Sequence, residues 1–204
     1  MAKKDEIPAL SGWMIEGDYQ VAIHDKLLLP AAINKGIQLI EPIDHFENLV
    51  KTSALEDRMI VAYSSHEYDV ISPLSELLER DFRERYVLAN FSRWFNINMP
   101  ELYEKAQDYQ KKKKQNKRNM KKKSGDFRLG LKDFLKLEEV GYPDRKKVGI
   151  GGSAKSIRQV RERSLEGLEL TKGIKTGWTR MLTYLEHDVK GLAHLVEFVV
   201  NANI

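Results

Sequence analysis

Cysteine is absent from the 204 residues. That excludes disulfides and thiolate metal sites, so any metal would have to sit on oxygen or histidine ligands. The absence fits a reducing compartment. No apolar run approaches the ~20 residues that a membrane-spanning helix needs, and Met1-Ala2-Lys3-Lys4-Asp5 leads into no apolar signal core. The expectation is a cytoplasmic chain with no membrane partner. No internal repeat is present. The five histidines, His24, His45, His66, His187 and His194, form no H-x3-H pair, which argues against a histidine zinc site.

Hydrophobic residues make up 42% of the chain, enough for a packed core and against wholesale disorder. The length suits one domain over 1–204, carrying a lysine-rich helical or flexible insertion near 100–125. The net charge of +4 is unevenly spread. Residues 111–123 read KKKKQNKRNMKKK, nine basic residues and no acid, and the remainder is slightly acidic. The tract reads equally as a solvated helix face or loop and as a surface for phosphates. Its lack of interleaved aromatics argues charge attraction rather than base stacking. Nucleic acid, DNA or RNA, is the expected partner. The candidate contacts are Lys111, Lys112, Lys113, Lys114, Lys117, Arg118, Lys121, Lys122 and Lys123, joined by Lys155, with Arg158, Arg161 and Arg163 extending the surface.

Strand formers dominate Gly12 to Ile23, interrupted by a Gly-Asp turn signal, and Ile37 to Ile43 reads as a second strand region. His45 to Leu55 has helical apolar spacing. Met59 to Tyr63 is short and continuously apolar, as a central buried strand would be. A helix then runs from about Ser65 to Glu84, and Arg85 to Phe91 reads as another strand. Pro100 to about Lys123, Gly130 to Val140, Ser153 to Leu170 and Thr176 to Val200 read as helices. The pattern predicts an α/β fold, a mixed β-sheet flanked by α-helices.

The last helix carries an anomaly. Trp178, Met181, Leu185, Leu192, Leu195 and Val199 share one face at ~100° per residue, and Asp188 projects from that face. Glu186, His187 and Lys190 point elsewhere. A carboxylate among apolar side chains must be paired, metal-bound or protonated.

Tyr184-Leu185-Glu186-His187-Asp188-Val189 has the form Y-x3-D-V. The strand Met59 to Tyr63 runs into Ser64-Ser65-His66-Glu67-Tyr68-Asp69. Leu131-Lys132-Asp133-Phe134-Leu135 with Gly141-Tyr142 forms an "LK..L...G" segment. Together these resemble the DEDD-type 3′–5′ exonucleases of the ribonuclease H fold, in the subtype with a tyrosine in the third motif. Tyr68 and Asp69 match the second motif, while Ser64-Ser65 replace its usual histidine-asparagine pair. The first motif, D-x-E, is matched best by Trp13-Met14-Ile15-Glu16-Gly17-Asp18, with Met14 at the first aspartate. The shifted match Asp18-Tyr19-Gln20 keeps the aspartate and loses the glutamate. Either way one acid is missing.

The resemblance implies a metal-dependent nuclease, a 3′–5′ exonuclease using two Mg²⁺ or Mn²⁺ ions ~3.5–4 Å apart. It implies Glu16, Asp18, Asp69 and Asp188 as metal ligands, since hard ions prefer carboxylate oxygen. Tyr184, one helical turn from Asp188, would orient the attacking water, making Tyr184, Asp188, Asp69 and Glu16 the catalytic set. Met14 leaves three readings open: Asp18 substitutes, the sequence carries an inactivating change, or the domain is a catalytically degenerate module for binding nucleic acid or protein. Gly149-Ile150-Gly151-Gly152-Ser153-Ala154-Lys155-Ser156 imitates a phosphate-binding loop, but charged residues precede it where a buried strand belongs. A turn before a helix is the better reading.

Overall fold

The computed structural model describes residues 8–63, 75–115, 129–144 and 154–202. The fold is mixed α/β, and the chain divides into two compact units. One comprises Met1–Ala89 with Gly151–Val189, the other Asn90–Ile150 with Lys190–Ile204.

In the first unit, β1 (Leu10–Ile15) and β2 (Asp18–Ile23) form an antiparallel hairpin with Met14 opposite Tyr19 and Gly12 opposite Val21. Its two-residue turn is Glu16-Gly17, with φ of 51° and 87°. Positive φ at both turn residues matches the right-handed twist of the strands. Two short 3-10 turns, Lys26–Leu28 and Ile33–Lys35, flank α1 (Leu29–Ala32). They return the chain to β3 (Gln38–Leu39), which lies parallel to β2. The strand expected over Ile37 to Ile43 is cut short because Pro42 opens α2 (Pro42–Leu55). Proline suits a first helical turn, where its fixed φ fits and its missing N–H is not needed.

β4 (Ile60–Ala62) pairs in parallel with β5 (Tyr86–Leu88). Among the described residues this pair is a separate two-stranded sheet, so β4 is not the central buried strand its apolar run suggests. Met59 is 49% exposed and only Ala62 of the strand is buried. Residues 64–74, with Asp69, lie outside the described part. α3 (Glu76–Arg85) starts at Ser75, whose hydroxyl accepts from Leu78 N–H. Leu78 and Phe82 of α3 pack on Phe46 and Val50 of α2.

Strand alternation gives the hairpin two working faces. Leu10, Val21 and Ile23 join a core with Val160 of α7 (Ala154–Leu165) and Trp178 and Met181 of α8 (Lys172–Ala202). Ser11, Trp13 and His24 face the other way, toward His45 of α2. Asp25 ties α7 down: it accepts from Leu27 N–H with one carboxylate oxygen and from Arg161 with the other.

The second unit comprises α4 (Phe91–Asn98), α5 (Pro100–Gln115), α6 (Leu131–Leu135) and α8 from Lys190 onward. Phe95, fully buried, stacks on Phe134 at 4.5 Å and on Phe198 at 5.9 Å between ring centroids. The expected helix over Gly130 to Val140 stops at Leu135. Asp133, buried, accepts from Gly130 N–H at 2.9 Å and from the Gln110 amide at 3.3 Å. No helix among the described residues is long and apolar enough to cross a membrane.

Candidate functional site

The hairpin meets α8 where Gly12 faces Leu185. A Cβ built on Gly12 would stand 2.9 Å from Leu185 Cγ and 3.1 Å from Tyr19 Oη. Only a glycine lets the strand and helix approach this closely. Met14 lies two residues along β1, so it shares the α8-facing side with Gly12 and Tyr19. Met14 therefore lies on the face of the hairpin that meets α8 at Leu185, which Tyr184 precedes and Asp188 follows in sequence. The side chains of Tyr184 and Asp188 are half-buried, one turn apart. Tyr19 Oη is buried and has no hydrogen-bond partner among the described residues. Burial first, and then the negative charge of Glu186, push its hydroxyl well above the usual phenol range. Glu186, which the helical pattern points away from the apolar face, is half-buried.

Glu16 and Asp18 have other occupations. Glu16 sits in the hairpin turn, its side chain 74% exposed, and its carboxylate accepts from Arg58. Arg58 also reaches Glu56 at 2.9 Å. This contact lies just before β4, and Asp69 lies outside the described residues. Asp18 is exposed and accepts from the Gln20 amide at 3.1 Å. Among the described residues no group of three or more His, Cys, Asp or Glu side chains could hold a metal ion. Of the described candidates, Glu16 in the hairpin turn pairs with a guanidinium, Asp18 at the start of β2 faces solvent, and Met14 on β1 offers no hard oxygen ligand.

Lys111, on α5, pairs with Asp108 at 3.1 Å. The side chains of Lys112, Lys113 and Lys114, and residues Lys117, Arg118, Lys121, Lys122 and Lys123, lie outside the described part, as do residues 145–153. Lys155 is exposed at the start of α7. Arg158 pairs with Glu162 at 3.6 Å, Arg161 with Asp25, and Arg163 donates to the Glu169 carbonyl. Arg161 and Arg163 thereby tie α7 to neighbouring segments, while the exposed Arg158–Glu162 pair lies within α7 itself.

The structure also builds a cluster that no sequence pattern announces. Ser11 Oγ lies 2.9 Å from His24 Nε2 and 3.0 Å from His45 Nε2. His24 Nδ1 donates to the Ile40 carbonyl at 2.8 Å. Both histidines are buried, and Trp13 packs on His45 at 4.5 Å between centroids. Burial drives both pKa values down, His45 to about 4, and the neighbouring His24 lowers His45 further. Because a carbonyl only accepts, His24 carries its proton on Nδ1 and accepts at Nε2. Ser11 then donates to His24 and accepts from His45 Nε2–H. One neutral arrangement satisfies the whole chain of bonds. Its residues are 13 and 34 positions apart in sequence.

No family model, no curated protein and no solved structure matches this chain.

Proposed function

We propose that this chain is a nucleic-acid-binding domain of the ribonuclease H-like class in which Glu16, the acid matching the first motif, is diverted from metal ligation. It would grip the phosphodiester backbone of DNA or RNA, in the cytoplasm, without the two-ion centre that hydrolysis needs. The observation that carries the reading is the engagement of Glu16 by Arg58, with Met14 occupying the position from which a first aspartate would face α8. The acid-free basic tract at 111–123 supplies the attraction for phosphate. Anisotropy of labelled single-stranded DNA and RNA over a salt series tests it. Binding should weaken steeply with salt and persist in chelator; no binding at low salt would overturn it.

One observation favours a second reading, the metal-dependent 3′–5′ exonuclease. The Gly12–Leu185 contact sets the first strand against the turn of α8 that holds Tyr184 and Asp188, the pairing of elements that such a nuclease requires. In that reading Asp188 and Asp69 hold Mg²⁺ or Mn²⁺ and Tyr184 orients water. Stepwise shortening of a 3′ end, lost in Asp188→Asn, would establish it.

A further inference from the structure

An open cleft of about 750 Å³ lies within the first unit, between the 3-10 turn Ile33–Lys35 and the first turns of α8. Its floor includes the buried indole of Trp178. Lys35, Lys172, Lys175 and Arg180 line it, and no acidic residue does. All four cations are exposed. None has an ion-pair partner among the described residues. Elsewhere on the described surface cations are commonly paired: Arg58 with Glu16, Arg80 with Asp81, Arg83 with Glu79, Arg85 with Asp57. The cleft is a different kind of surface.

Lys172, Lys175 and Thr176 fall at i, i+3 and i+4 and share one side of α8. Lys35 faces them from a separate element. Like charges at such spacing repel, and nothing described in the fold offsets them. A bound polyanion would, releasing its counterions as it docks. Lysine, arginine and threonine side chains offer the donors that phosphate oxygens accept. Trp178 is only 1% exposed, so it presents no ring face on which a base could stack.

We infer that this cleft is a phosphate-backbone site for single-stranded nucleic acid, indifferent to base sequence and separate from the lysine tract. The inference rests on the nucleic-acid reading above. Because the four cations are exposed, neutralising them leaves the core intact.

The test is anisotropy of a labelled single-stranded oligonucleotide across a salt series. It compares the wild type, the triple variant Lys35→Gln/Lys175→Gln/Arg180→Gln, and a variant with the nine basic residues of 111–123 changed to glutamine. Thermal melts check folding. Three lost phosphate contacts should make the salt slope shallower by about 2. The affinity gap between wild type and triple variant should therefore shrink roughly 20-fold between 50 and 200 mM salt. The double variant Lys172→Gln/Lys175→Gln, with an expected change of about 1.4, serves if the triple variant fails to fold. An unchanged slope in the cleft variant, with a reduced one in the tract variant, would overturn the cleft site and leave the nucleic-acid reading standing. A wild type that binds no oligonucleotide would overturn both. Equal binding of polyglutamate, lost equally in the cleft variant, would overturn the choice of ligand.

Discussion

Acid should unfasten the first unit through the His24–Ser11–His45 chain. The two imidazoles are 5.1 Å apart between ring centroids, both buried and both neutral in the arrangement that satisfies every bond. A proton on His24 Nε2 would point a donor at Ser11, which must then stop donating. A proton on His45 would bury a charge beside His24. Opposing effects are present but smaller: the Ile40 carbonyl and the charge of Glu41 both favour protonated His24, and burial outweighs them. The folded pKa of His45 is about 4, against ~6.5 in an unfolded chain. Between those values the unfolded state binds a proton that the folded state does not. Stability therefore holds above pH ~7 and falls as pH drops through 6.5 toward 4. With those two pKa values, His45 alone removes about 2 kcal/mol by pH 5 and about 3 kcal/mol by pH 4. His24 adds loss of the same sign. Urea melts from pH 7.5 to 5 measure this above the range where carboxylates titrate. His45→Gln keeps an N–H for Ser11 and has nothing to titrate, so its melts should lose much of the pH dependence. Wild-type stability that stays flat from pH 7.5 to 5, or a His45→Gln variant that keeps the full slope, would refute the reasoning.

Three further outcomes follow from packing and hydrogen bonding. Gly12→Ala should destabilise by about 1–3 kcal/mol in denaturant melts, because the added carbon overpacks Leu185 and Tyr19 Oη. Tyr19→Phe should leave stability unchanged or raise it by about 1 kcal/mol, since the buried hydroxyl it removes has no hydrogen-bond partner among the described residues; a clear loss would contradict that geometry. Asp133→Ala should cost about 1–2 kcal/mol by removing the acceptor at the start of α6, and amide exchange at Gly130 should quicken.

What sequence made legible was governed by range. The hairpin announces itself through strand formers around a glycine, and Thr176 to Val200 through its apolar stripe. The observed α8 extends that reading to Lys172–Ala202. Local signals also misled. The apolar run Met59 to Tyr63 suggests a strand buried on both faces, yet β4 meets only β5 among the described residues, and Val87 and Leu88 of β5 are 41% and 48% exposed. Glu16 falls in the run of strand formers and in the first-motif match, but the turn claims it, and its partner Arg58 lies 42 positions away. The histidine cluster and the basic cleft were illegible for the same reason. Each joins side chains from elements far apart in sequence, and no periodicity encodes which surfaces fold together.

The most direct test of the account is a gel. End-labelled single-stranded DNA and RNA are incubated with Mg²⁺ or Mn²⁺ and the wild type, Met14→Asp or Asp188→Asn, alongside a chelator control. The account predicts intact substrate with the wild type at concentrations where anisotropy reports it bound. Shortening from the 3′ end by the wild type, abolished by chelator and by Asp188→Asn, would contradict it.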